Sequence, residues 1–222
     1  MTNSCAGDHY PAPARNPPVL SRRTFAYSTL RDEMWPEKQQ LLFAVNDLEQ
    51  YRHDPAKRQH YEALLREKER DFESAPRQDL ATWWWHRCIM KGMVANSLGN
   101  REEAGAYEFE SLQHVCGDTE KEAISHNNLC DTYRSLGHYA DAESEGLRAY
   151  RLWPSHAGIV CNFALALAKN RKKREAAQIL GTLIADSDMG DPRSIVVAHV
   201  RHEQELQEIL SLLADAYDHS DE

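Results

Sequence analysis

The sequence has no C-x-x-C pair, no Gly-rich phosphate loop, no G-x-S-x-G elbow and no apolar run long enough to span a bilayer. Each absence removes a class of function. The five cysteines, Cys5, Cys88, Cys116, Cys130 and Cys161, are odd in number and scattered, which suits a reducing compartment better than a disulfide framework. The first ten residues, MTNSCAGDHY, lack the apolar core of a signal peptide, and the longest nearly apolar run, 159–168, is interrupted by Asn162. A cytoplasmic protein with no membrane segment is therefore expected. Positive charge is also in deficit: 26 Lys and Arg stand against 35 Asp and Glu, a formal net charge of −9. Binding to phosphate backbones needs concentrated cationic surface, so this balance argues against nucleic acid as the main partner. No stretch of real length alternates apolar and polar residues between turn signals, and strands are not expected.

What is present is helical spacing. In 128–154, NLCDTYRSLGHYADAESEGLRAYRLWP, Leu129, Tyr133 and Leu136 recur at helical intervals and Gly137 breaks the pattern. Tyr139, Ala142, Ala149 and Tyr150 then resume it until Pro154. This spacing predicts two helices joined by a tight turn. Small residues repeat the arrangement along the chain. Gly92, Cys130 and Ala164 fall in first helices, Ala104, Ala142 and Ala176 in second helices, and Ser111, Ala149 and Leu183 form a third series. Each series steps by 38 and then 34. All three share the four extra residues, which places an insertion between Ser111 and Cys130, in the connection holding Gly117, Asp118 and Thr119.

The hairpin residues Leu136, Gly137, Tyr139, Ala142, Ala149 and Pro154, with the 34-residue period, resemble the tetratricopeptide repeat over roughly residues 85–188. The resemblance implies an all-α fold, a right-handed solenoid of helix hairpins. Around it the chain divides in order. Residues 1–34, with Pro11, Pro13, Pro17 and Pro18 and no apolar periodicity, are expected to be a disordered arm. Residues 35–76 hold two helices: one from Pro36 with Leu41, Leu42, Val45 and Leu48, and one from Pro55 with Tyr61, Leu64, Leu65 and Phe72, N-capped by Asp54. Stepping back 34 from Gly92 lands on Arg58, too large for a close contact, so this hairpin is an N-terminal cap. Three repeats fill 77–188. A long capping helix is expected over 189–217, from the stripe Ile195, His199, His202, Leu206, Ile209, Leu213 and Ala216, followed by an acidic tail, 218–222.

Several residues carry two readings. Trp83, Trp84 and Trp85 sweep through ~200° of a helix, so they cannot share a face. Either they pack in different directions, on the second helix of their repeat and back on the N-terminal cap, or they expose an aromatic patch. Lys91 occupies a slot that is Leu129 and Phe163 in the other repeats. His86 and Cys88, like His114 and Cys116, are two apart and diverge on a helix, so neither pair chelates one ion. His126 and Cys130 do share a face, but Cys130 fills a small-residue slot and reads as a packed thiol. His199 and His202 lack the order of a zinc peptidase motif and read as stripe residues. No catalytic residue, metal or cofactor is expected. Arg171, Lys172, Lys173 and Arg174 form a turn that is either simply solvated or a contact for an acidic partner.

Asn128 and Asn162 are 34 apart and superimpose in successive first helices. In tetratricopeptide proteins first helices line the concave groove, and an Asn in this slot holds an extended peptide by its backbone. A carboxamide offers donor and acceptor together, so it pairs with any peptide group. The resemblance further implies a groove lined by Asn127, Asp131 and Arg134, by Cys161, Leu165 and Lys169, and by Ile89 and Met93. The bland alternative is that these Asn residues consolidate the repeats. Repeat domains that grip the acidic C-terminus of heat-shock chaperones need a Lys and Asn clamp; here Ile89, Met93, Gly158 and Asn162 stand in its other slots and only Asn128 matches. The expectation is thus a non-enzymatic scaffold, an adaptor or chaperone-like binder of a peptide or helix. The rival is a structural subunit that self-associates through its C-terminal helix or tryptophans, its groove filled by its own N-terminal arm.

Overall fold

A computed structural model describes residues 36–51, 54–75, 80–185 and 208–209. Among them every regular element is helical and no strand occurs. Eight α-helices follow in order: α1 (Pro36–Gln50), α2 (Pro55–Ser74), α3 (Leu80–Ser97), α4 (Arg101–Ser111), α5 (Thr119–Leu136), α6 (Tyr139–Leu152), α7 (Ala157–Lys169) and α8 (Lys173–Ala185). A single 3-10 turn, Leu112–His114, extends α4. Each helix packs on its sequence neighbours, and α1 also touches α3, α3 touches α5 and α5 touches α7. The arm 1–34, most of the stripe 195–216 with His199 and His202, and the tail 218–222 lie outside the described residues.

Local chemistry sets the helix ends. Asp54 caps α2 by accepting from the Ala56 and Lys57 amides, with Pro55 at the first helical position. Asp118 caps α5 the same way, accepting from Glu120 and Lys121 at 3.0 and 3.1 Å. The C-termini of α3, α5 and α7 share one turn. Gly99, Gly137 and Arg171 take φ of 87°, 81° and 65°. The next amide in each case donates five residues back: Asn100 to Ala95, His138 to Tyr133, Lys172 to Leu167. These left-handed positions step by 38 and then 34, as do the small residues. The four-residue excess lies where the 3-10 turn and the left-handed pair Cys116 and Gly117 lead into Asp118.

The small-residue slots are the closest contacts. Cys130, Ala164, Ala104, Ala142, Ala176, Ser111 and Ala149 each have no exposed surface. At Gly92 even a Cβ would come within 3.1 Å of the Glu108 Cγ. The side chain of Leu183 lies outside the described residues. Around these contacts the core forms successive clusters. Leu41, Val45, Leu48, Leu65 and Phe72 of the N-terminal hairpin share one with Trp83, Met90 and Val94 of α3. Ala123 and Ile159, and Cys130 and Ala166, join α5 to α7. The last cluster gathers Val160, Phe163, Leu167, Ala176 and Leu180 with fully buried Ile209, the one stripe residue described.

The three tryptophans diverge as their angular spread requires, though not all toward the expected partners. Trp83 stacks on Phe72 of the N-terminal hairpin, with ring centroids 5.0 Å apart. Trp84 stacks on His114. Trp85 reaches forward to α5, where its indole donates to Ser125 Oγ at 3.1 Å. Lys91, the misfit in its slot, reaches Glu69 on α2 at 2.9 Å and lies over the Tyr107 ring. Burial alone would pull its pKa down, but the Glu69 hydrogen bond and charge hold it above its ordinary value.

Candidate functional site

The polar residues of interest lie on α5 and α7. Both helices are held together from below by small side chains, and the Cys130 thiol donates to the Asn162 carbonyl at 3.7 Å. On the other side Asn162 Nδ2 donates to Asn127 Oδ1 at 3.1 Å, a bridge between the two helices. Asn128 has no hydrogen-bond partner among the described residues and is half-buried. One turn along, Arg134 pairs with Asp131. This leaves a half-open polar strip, Asn128 beside an ion pair and beside a carboxamide pair already engaged.

The apolar positions behave differently. Ile89, Cys161 and Leu165 retain 6%, 1% and 4% of their surface, whereas the resemblance implies that they line an open groove. Cys161 and Leu165 belong to the cluster that contains Ile209, so the chain itself takes up apolar surface there. Met93 and Lys169 stay half-buried. The surface open to a partner is thus more polar than the full set of implied residues.

The basic turn is partly neutralised. Lys172 and the Asn170 amide both bind Glu143, each at 2.6 Å, and Lys173 binds Glu208 at 2.7 Å. Burial would raise the Glu143 pKa, but those two hydrogen bonds hold it below the usual range. Arg171 and Arg174 are exposed, and neither has an ion-pair partner among the described residues.

Other titratable groups sort by burial. His126 turns to Glu145 at 2.5 Å rather than to Cys130. Burial, aided by Asp131, pushes the Cys130 thiol up to about 12, and burial does the same to Cys161. Neither is a thiolate at neutral pH. Glu108, on α4 between Gly92 and Thr132, is 2% exposed, and burial pushes its carboxyl up to about 8.

One group of donors escaped sequence reasoning. Cys88 of α3, Glu110 of α4 and His114 of the 3-10 turn offer ligand atoms that all lie within 4.8 Å of one another. Each of the two divergent His/Cys pairs gives one member to this cluster, which only packing of α3 on α4 assembles. The Cys88 thiol is raised to about 11 by burial and by the Glu110 charge.

No helix among the described residues is long and apolar enough to cross a membrane. A scan against protein-family models and a search of curated proteins each return no match.

Proposed function

We propose that the chain is a non-enzymatic scaffold of tetratricopeptide type, a right-handed α-solenoid of an N-terminal hairpin, three repeats and a capping helix, holding a peptide or helix across α5 and α7. The observation that carries this reading is the double recurrence at steps of 38 and 34: solvent-free small residues at the helix contacts, and one left-handed turn after α3, α5 and α7. Stacked hairpins built this way set their first helices side by side, and a row of such helices offers an extended surface for a partner. Asn128, half-open and without a hydrogen-bond partner among the described residues, has hydrogen-bonding capacity to spare. The partner's chemistry follows from that strip: an extended segment presenting backbone amides, with side chains that tolerate an Asp131/Arg134 pair.

In this reading Asn162, bonded to Asn127, consolidates the helix pair and Asn128 meets the partner, and the test uses this difference. Asn128→Ala should leave stability within ~0.5 kcal/mol, yet weaken binding of the protein that co-purifies with the chain by ~10-fold. Asn162→Ala strands the Asn127 amide and should cost ~1 kcal/mol of stability. Calorimetric titration and urea unfolding of both variants measure this. Binding by Asn128→Ala as tight as the parent's would remove this strip from the interaction.

The burial of Cys161 and Leu165 in one cluster with Ile209 favours a second reading, in which part of the groove is filled by the chain's own C-terminal segment around Ile209. Thiol-labelling rates decide it: Cys161 should react faster in Ile209→Ala if that segment covers it.

A further inference from the structure

We propose that Cys88, Glu110 and His114 bind a divalent transition-metal cation, Zn2+ by the chemistry of the donors, and that the ion fastens α3 to the end of α4. The inference is independent of the scaffold reading, because the donors are brought together by one helix pair. A thiolate, an imidazole and a carboxylate are the donor types that zinc selects over Mg2+ or Ca2+, which prefer all-oxygen sites. Bond lengths of ~2.0–2.3 Å put the donors of one tetrahedral zinc roughly 3.5 Å apart, so side-chain shifts of about 1 Å close the present spacing of up to 4.8 Å. Three protein donors leave a fourth position for water, and the half-buried faces of Glu110 and His114 supply the approach.

Charge and positioning both support the ion. Thiolate and carboxylate together balance a dication, so the loaded site is neutral where Cys88 is wholly buried. The Glu110 carboxylate has no ion pair or hydrogen bond among the described residues, and the nearby Arg87 is engaged by Glu73 at 3.2 Å. The Trp84 ring stacks on the His114 imidazole and sets its plane, with centroids 6.1 Å apart. Behind the cluster, Ser111 Oγ lies 2.7 Å from Ser125 Oγ, which in turn accepts from Trp85. That chain of bonds fixes α3, α4 and α5 at the level of the donors, so the site sits on rigid elements. Glu110 and His114 are four residues apart and come onto one side where α4 tightens into the 3-10 turn.

The test uses the untagged full-length chain, stripped by a chelator and titrated with Co2+ and then Zn2+. One equivalent of Co2+ should give a thiolate-to-cobalt charge-transfer absorption that Zn2+ abolishes, and Zn2+ should raise the thermal midpoint. Cys88→Ser should lose the absorption, while Glu110→Gln and His114→Gln should each weaken Zn2+ binding at least ~10-fold. Cys116→Ser, at an exposed thiol two residues past His114, should change nothing. Should the buried Cys88→Ser substitution prevent folding, Glu110→Gln at its half-exposed position decides. A parent chain without the cobalt absorption, zinc binding that survives Glu110→Gln unchanged, or loss of the absorption in Cys116→Ser would overturn the site.

Discussion

The hairpins α3–α4 and α7–α8 have the same contact slots and are held by different forces. In α7 nearly every side chain is buried and apolar or small, from Ala157 and Ile159 through Phe163 to Ala168. In α3 and α4 the same geometry is fastened by polar and aromatic groups: Trp85 to Ser125 to Ser111, Lys91 to Glu69, and Lys38 to the His86 ring at 2.9 Å. The repeated pattern therefore demands small residues at the close approaches and little else. Where burial does most of the holding, as in α7, Lys169 is the one charged residue in the helix. Where polar networks do the holding, the hairpin carries Glu108 and the Cys88, Glu110 and His114 cluster.

The sharpest way to break this comparison is along one slot, Lys91, Leu129 and Phe163. Phe163→Ala removes a ring stacked on Tyr150 and should cost ~3–5 kcal/mol, and Leu129→Ala ~2–5 kcal/mol. Lys91→Ala, which loses a largely buried ion pair but no core volume of that kind, should cost ~1–2 kcal/mol. Urea unfolding of the three variants gives the ranking, and equal losses would mean that the two hairpins are not held differently.

Next in size is a pH effect confined to the polar hairpin. The folded Glu108 carboxyl titrates near 8 and the unfolded one near 4.5, so between these values the folded state keeps a proton that the unfolded state has released. Stability then falls as pH rises through that window. Glu108→Gln stays neutral and should be more stable than the parent by ~2–4 kcal/mol at pH 8, with the gap closing toward pH 5. Denaturation curves at both ends of the window measure it; a constant gap would show Glu108 to be charged throughout.

Overpacking tests what the hairpins share. Ala142→Leu and Ala164→Leu add methylenes at contacts with no free surface and should each destabilise by ~1–3 kcal/mol, read from thermal midpoints. The smallest effect is a gain. Arg171 holds the left-handed position that Gly99 and Gly137 hold in the other turns, at a cost of ~1 kcal/mol for a side chain there, so Arg171→Gly should stabilise by up to that amount. No gain would show the strain to be relieved locally.

The amino-acid sequence by itself determined the helices, their ends and the spacing of the close contacts. These follow from local rules: Asp54 before Pro55, Gly137 at a helix end, and small residues at steps of 38 and 34 are visible wherever the neighbours in space are also regular in sequence. The same rules said that Trp83, Trp84 and Trp85 must part, because angle along a helix is a local property. Only the tertiary structure decided where each went, since Phe72, His114 and Ser125 sit on three different elements. The candidate site divides likewise. Asn128 and Asn162 were legible as a pair 34 apart, but the bond from Asn162 to Asn127, and the lack of any partner for Asn128 among the described residues, depend on the offset between α5 and α7. Cys88, Glu110 and His114 were invisible as a group, because residues two apart diverge on a helix and their true neighbours lie across a helix contact whose register no local periodicity encodes.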